Sequence, residues 1–541
     1  MSKVAAYLRG HISGEVSTRD DVRASVAADG GVLAIKPELV IYPRNTNDIR
    51  KVARFAWQLA EKGHVLPLTV RGGGTDQTGA SIGKGAIIAT TAHMNKVFEY
   101  DAKQRLVRLQ PGARVGAVQS ALALQGTAIM ALAGSHVDGT VGGAIANAVA
   151  GPLAGNYGTI QQSIGQLEVV LANGEVLQTG RVSKRELSRK KGLQGFEGDI
   201  YRGIDGVIEE YEEVLPKLAA NDAAGYNTIA DVKRKDGSFD RTPLFVGSQG
   251  TLGMISEVIL RAEHRNPAIS SVALVFSDSN TARDALDALA GMRPSLLEYY
   301  DAELFDAAAK QGRAYKFYTD ASEQFAPQSV VLIAFDEFNA HQRKKNVKKV
   351  AKLYEKTEGV QVVCEDDAAT SELLAALDVT YYTLSPDKAS ISLSDLYGGF
   401  HIPTAQLEKF TEGLQQLAAH EHTPLPMAGH VITNTYTVYP SLSLDKVADK
   451  QKLFKLLDSL TKLVHQHGGT MVAEGGEGRL KARGIYPELD DKVVAMYEAV
   501  RKVCDPLGTL NPGVKQVNDV RVIATQLKST HTAMAPARVE L

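Results

Sequence analysis

Three glycine-rich loops are the residues of this chain whose type and spacing could do chemistry. The first is Arg71-Gly72-Gly73-Gly74-Thr75, with Gly79 close behind. The second begins around Gly134 and takes in Gly139, Gly142, Gly143, Gly151, Gly155 and Gly158. The third is Gly247-Ser248-Gln249-Gly250-Thr251-Leu252-Gly253. Consecutive glycines turn through positive φ and bring unhindered N–H groups up to an anion, so such loops suit phosphate oxygens. A lone cluster reads as a tight turn, and three together shift the balance towards a ligand. Two standard sites do not fit. Gly83-Lys84 is followed by Gly85 and lacks the upstream glycine of a P-loop. Gln77 takes the last glycine's place in a GxGxxG, and Gly79 comes two residues late. That absence also argues against NAD(P) as a stably bound partner.

The elements that must hold these loops follow from periodicity. Ile49, Val52, Ala53, Ala56, Leu59 and Ala60 recur at helical spacing between a cap at Thr46 or Asn47 and a stop at Gly63. Val65 to Val70 has strand composition and runs straight into the first glycine loop, which places that loop at a strand end. Strand-like runs follow at 86–90, 96–100 and 106–110, then a helix over 115–124 closed by Gly126. Asn173-Gly174 between two apolar runs predicts a hairpin. The three loops are therefore expected to hang from sheets in the first half. From about Asn266 strands such as 271–276 and 330–335 alternate with charged helices, which suggests a second α+β domain. The helix around 343–356 carries Arg343, Lys344, Lys345, Lys348, Lys349, Lys352 and Lys356 beside an apolar stripe. A basic amphipathic helix can lie on an anionic membrane. The reading preferred here is the solvated back of a helix whose stripe covers a sheet.

Composition narrows the classes. At roughly 100 to 200 residues per domain, 541 residues predict two to four domains. Charged residues are 23%, with 60 Lys+Arg against 62 Asp+Glu, so nucleic acid is not expected as a partner. Two cysteines, Cys364 and Cys504, give no disulfide framework, thiolate zinc site or iron–sulfur cluster, and a cytoplasmic setting is expected. The first residues lack the apolar run of a signal peptide, and no uncharged apolar stretch reaches the roughly 18–20 residues of a bilayer span. The tail after Gly513 lacks sustained periodicity, so its end is expected to be loose.

The motifs jointly resemble a family. These are Pro43 and the helix after it, PLTVRGGGTDQTG (67–79), GTVGGAIAN (139–147), Tyr157-Gly158-Thr159, LEVVLANGEV (167–176), Gly225-Tyr226-Asn227, GSQGTLG (247–253), EGGEG (474–478) and Leu510-Asn511-Pro512-Gly513. The chain resembles the FAD-linked oxidases of the vanillyl-alcohol oxidase and p-cresol methylhydroxylase (PCMH) superfamily, in the branch of D-lactate dehydrogenases and the glycolate oxidase large subunit. The resemblance implies an α+β fold. A PCMH-type, two-subdomain FAD-binding domain would span 1–265, and an α+β cap with an antiparallel sheet 266–490. Residues 491–541 would return to the flavin. It implies that Arg71, Gly72, Gly73, Gly74, Thr75 and Gly79 hold the pyrophosphate, helped by Gly139, Thr140, Gly142 and Gly143. Asn147, Tyr157, Gly158, Gly250, Gly253, Ile255 and Asn511 would complete the FAD site. A dinucleotide needs an anion cradle and a long apolar trench, which loops spread over nearly 200 residues suit better than a single phosphate. The usual position of a histidyl link is Thr75, so non-covalent FAD is expected.

Hydride transfer to a flavin needs a substrate carbon near N5 and a group to take the hydroxyl proton. The resemblance points to His430 in MAGHVITNTYTVY (427–439), to Asn434 downstream and to Glu474. Thr437 and Gly475 stand where the 2-hydroxy-acid branch carries histidines, so no metal is expected. The carboxylate-binding arginine is missing from 373–384, which offers Tyr381 and Tyr382. Lys388, His401 or Arg479 could supply that charge. His465 and His467 read as a solvated helix end. The expected activity is oxidation of a small hydroxy compound, a 2-hydroxy acid first among them, with a quinone, a protein or oxygen as acceptor. The rival is a flavin-binding electron-transfer or scaffold subunit with a degenerate active site.

Overall fold

The computed structural model describes residues 2–133, 137–219, 222–368, 371–382, 390–391 and 396–528. Gly134, Lys388 and the end of the tail lie outside them. The helix that precedes the first loop spans Thr46–Glu61, and its cap is Asn45, one residue before the expected position, whose side chain accepts from the Asp48 N–H. Its apolar stripe, Ile49, Val52, Ala53 and Ala56, is buried.

Two sheets build the amino-terminal half. The first is ordered Glu15–Ser17, Leu39–Tyr42, Ala86–Ala89, Leu68–Arg71, and its last three strands are parallel. The edge strand Leu68–Arg71 delivers the first glycine loop at its carboxyl end. The second sheet is antiparallel, ordered Val97–Asp101, Leu106–Leu109, Met254–Arg261, Ile164–Val170, Val176–Gln178. The Asn-Gly hairpin forms as expected, with Val170 opposite Val176. The third loop runs straight into the strand Met254–Arg261. The second cluster departs from expectation: it opens a short helix, Val141–Ala146, capped by the Thr140 hydroxyl on the Gly143 N–H. A glycine is needed there because a Cβ at Gly142 would lie 2.7 Å from the Pro111 ring.

A seven-stranded sheet is the largest of the second half. Its order is Val360–Ala368, Ile269–Phe276, Ser329–Phe335, Leu296–Asp301, Met427–His430, Thr435–Val438, Gly398–His401, and every pairing is antiparallel. The basic helix, Ala340–Tyr354, buries Val347 and Val350 against this sheet and turns most of its lysines outward.

The carboxyl-terminal segment ties the halves together. Arg479 spends its guanidinium on the carbonyls of Gly79 (3.0 Å), Ile82 (2.7 Å) and Pro512 (2.6 Å). Lys515 and Glu477, both wholly buried, form an ion pair, and Glu477 also accepts from the Gly225 N–H. A charge stripped of its buried partner is strongly destabilising. Lys515→Met is therefore expected to lower the unfolding free energy by about 3–5 kcal/mol, and Lys515→Met with Glu477→Gln to recover part of it. Urea titration of both variants decides, and a single variant as stable as the parent would refute the pair's role.

Candidate active site

The three glycine loops converge. A cavity of about 390 Å³ is lined by Gly72, Gly73, Gly74 and Thr75, by Gly139, Thr140, Gly142 and Gly143, and by Gln249, Gly250, Gly253 and Ile255. The packing is close enough to demand glycine. A Cβ at Gly72 would stand 2.1 Å from the Thr140 hydroxyl, and one at Gly73 would stand 2.4 Å from the Asp138 carbonyl. Among the described residues, the main-chain N–H groups of Gly72, Gly73, Gly74 and Thr75 donate to no protein acceptor. Four adjacent bare amides at a cavity wall form an anion cradle. At the helix Val141–Ala146 the amides are already used: Val141 donates to Ala113, Gly142 to Pro111 and Gly143 to Thr140. The first loop is therefore the one whose amides are left open to an anion.

Side chains behind the loops fix their shape. The Gln249 amide donates to Asn147 Oδ1 (2.9 Å) and accepts from the Gly478 N–H (2.9 Å). Asn511 donates to the carbonyls of Ala80 and Gln249, both at 2.8 Å, and accepts from the Thr69 hydroxyl. Asn147 lines the cavity with Gln249, whereas Asn511 is buried behind it. Arg71 lies behind the loop too, its guanidinium on the Ala28 carbonyl at 2.8 Å. Gly79 stands outside the cavity wall, its carbonyl on Arg479. Tyr157 and Gly158 are not brought to the cavity: the Tyr157 hydroxyl donates to Asp336 (2.5 Å), and Gly158, at φ +83°, ends a short helix.

The cap strands supply the remaining wall. His430, Ala428, Thr435, Thr437, Tyr300 and Tyr439 line it together with Glu474. His430 Nδ1 lies 2.7 Å from both carboxylate oxygens of Glu298. Burial works against a charged imidazole, but the Glu298 carboxylate, by charge and hydrogen bond, outweighs it with help from Glu474 and pushes His430 up to about 9. Burial raises the carboxyls of Glu298 and Glu474, and His430 draws both partly back. Glu474 Oε2 accepts from the Ala150 N–H at 2.8 Å. Asn434 is not brought in: it ends a 3-10 turn in the left-handed region, and its Oδ1 accepts from Thr404. Arg479 is committed to main-chain carbonyls. Tyr381 is cavity wall, and Tyr382 packs on the neighbouring core.

Sequence reasoning missed Glu298. Its one local signal is a carboxylate interrupting the apolar strand Leu296–Asp301. The partner it meets is 132 residues away and is chosen by strand register, which places Glu298 opposite His430. Among the described residues no three His, Cys, Asp or Glu side chains group to hold a metal. No described helix is long and apolar enough to cross a membrane.

The bare amides and the His430–Glu298 pair share one cavity, and similarity to known proteins gives the family. Residues 37–180 match the family described as FAD binding domain, and residues 265–514 match FAD linked oxidases, C-terminal domain. The chain belongs to the FAD-linked oxidases, and its cofactor is FAD. It is 23% identical to the D-2-hydroxyglutarate dehydrogenase of Pseudomonas putida over 93% of this chain and 50% of that protein, so it spans half the length of that relative. It is also 23% identical to glycolate oxidase subunit GlcD of Bacillus subtilis, over 90% of each chain. A D-lactate dehydrogenase of Anaerostipes hadrus is 21% identical over 88% of this chain and 89% of that protein. The 4-ethylphenol oxidase of Gulosibacter chungangensis shares the fold, with a TM-score of 0.69 at 16% identity, over 96% of this chain and 98% of that one. The fold is thus the PCMH-type FAD-binding fold with a cap.

The cradle has a direct test. Crowding a packed site costs about 1–3 kcal/mol, so Gly72→Ala is expected to weaken FAD binding by roughly tenfold or more. Flavin content after dialysis at a series of free FAD concentrations measures it, and parent-like retention would remove Gly72 from the cradle.

Proposed function

We propose that this chain is an FAD-dependent oxidoreductase that oxidises a small hydroxy compound, with 2-hydroxy acids the first substrates to try. The observation that supports this best is a single cavity in which the bare amides of Gly72 to Thr75 and the His430–Glu474 wall meet. The first loop would hold the FAD pyrophosphate, and Gln249, Gly250, Gly253 and Ile255 would flank the rest of the cofactor. Thr75 follows the glycine run, so the cofactor would be held without a covalent bond. Bound FAD supplies a hydride acceptor at its N5 atom.

The chain's own groups prepare the substrate. His430 Nε2 would hydrogen-bond the substrate oxygen, because Nδ1 is committed to Glu298. Glu474, anchored through Oε2 on the Ala150 N–H, would take the hydroxyl proton. Burial raises its carboxyl, which makes the carboxylate a stronger base. Glu474 would take the hydroxyl proton, and bound FAD would supply the acceptor for the hydride of the adjoining C–H bond. A carbonyl remains: the substrate loses one proton and one hydride, two electrons and two protons in all. Tyr300, Tyr381 and Tyr439 add aromatic wall to the cavity. The reduced protein would pass its electrons to a quinone, another protein or oxygen.

Anaerobic mixing of the yellow protein with D-lactate, glycolate, D-2-hydroxyglutarate and uncharged alcohols tests the proposal. Bleaching of the flavin by at least one of them is expected. Loss of acid–base assistance costs about 10²–10⁴-fold, so His430→Ala and Glu474→Gln are each expected to slow bleaching by that factor while flavin content stays unchanged. A panel that bleaches nothing would favour the electron-transfer or scaffold reading. Retained turnover in His430→Ala would take that residue out of the mechanism.

A further inference from the structure

Resting on the oxidoreductase reading of this cavity, we propose that Glu298 is its positioning residue. It locks His430 by Nδ1 so that the ring keeps its proton and offers Nε2–H to the substrate oxygen as a donor rather than a base. The geometry is specific. The strand Leu296–Asp301 runs antiparallel to Met427–His430, and the register sets Glu298 directly opposite His430. Both carboxylate oxygens stand 2.7 Å from Nδ1. The Glu298 side chain is 3% exposed, while His430 keeps 27% of its own open at the cavity. A buried carboxylate facing one ring nitrogen, with the other nitrogen left to the cavity, fixes both the orientation of the ring and the place of its protons.

The other groups around the ring leave this arrangement in control. Glu474 approaches from the segment that packs beside Gly399, and it too favours the imidazolium. Tyr300 follows Glu298 by two residues on the same strand, and Tyr439 and Tyr381 complete the titratable wall. Tyr300 is itself held neutral by burial. His430 therefore sits between two carboxylates. The proton it receives through Glu298 is stable at neutral pH, which hands the role of base to Glu474. Loss of that proton in alkali would remove the donor, so flavin reduction is expected to fall as pH rises past about 9.

Histidine-selective 15N NMR of the FAD-loaded protein reads the pair without any substrate. The His430 signal, assigned by its loss in His430→Ala, is expected to show both ring nitrogens protonated at neutral pH and a midpoint near 9. In Glu298→Gln, which keeps the shape and removes the charge, the midpoint is expected to drop by about 1–3 pH units. The alkaline limb of flavin reduction is expected to move down with it, at unchanged flavin content. A parent midpoint in the ordinary histidine range would overturn the proposal. So would a Glu298→Gln protein whose midpoint and pH profile match the parent. If Glu298→Gln does not fold, the parent titration decides alone. If the titration behaves as expected and no substrate bleaches the flavin, the oxidoreductase reading fails and the Glu298–His430 pair stands.

Discussion

Four adjacent amides without protein acceptors, on a loop that is only half-buried at a cavity wall, are left for water or a ligand to fill. Gly72 to Thr75 are held in that state, and much of the architecture keeps them there. The parallel edge strand aims the loop, and its far side is paired to the carboxyl-terminal segment through Leu68 and Leu510. Arg479 then grips the carbonyls of Gly79 and Ile82, which follow the loop, and Asn511 bridges Ala80 to Gln249. Charge-assisted bonds from a buried guanidinium are strong and directional, so a segment more than 400 residues downstream sets the shape of the cradle.

That dependence ties the strands of the second half and the glycine loops to one cavity. The stretch 474–479 uses its residues on opposite tasks: Glu474 faces the cavity, Gly478 binds Gln249, Arg479 holds the first loop, and Glu477 buries the Lys515 charge. Gly475 and Gly478 take positive φ, +81° and +56°, which lets consecutive side chains point to both sides of a tight path. A Cβ at Gly478 would lie 2.2 Å from the Thr78 carbonyl, so the glycine there is required by packing.

What was legible in the sequence is what is local. Glycine loops, the Asn-Gly hairpin and the Thr46–Glu61 helix each depend on neighbours a few residues away, and short-range chemistry determines them. The cap position slipped by one because Asn45 and Thr46 both offer a capping side chain, and only Asn45 meets the Asp48 N–H. Asn434 is expected at the site from the resemblance of the 427–439 segment to the family's Gly-His segment. Yet the tight turn at 431–433 swings it to Thr404, and nearness along the chain says little about direction across a turn. Glu298 was illegible for the opposite reason, since its partner is decided by the register of two strands far apart in sequence.

The buried charges bear on which reading the chain favours. A flavin scaffold needs the cradle alone. Here the cap also buries Glu298 and sets Glu474 at the cavity wall around one imidazole, and taking a carboxylate out of water is unfavourable unless it is well paired. Glu298 has His430, and Glu474 has the Ala150 N–H. A hydrophobic trio of the same volume would hold the sheet with less electrostatic cost, so such an arrangement persists where its charges do something beyond packing. Its place at the wall of the cavity that the glycine loops line puts those charges where the proposed substrate would sit.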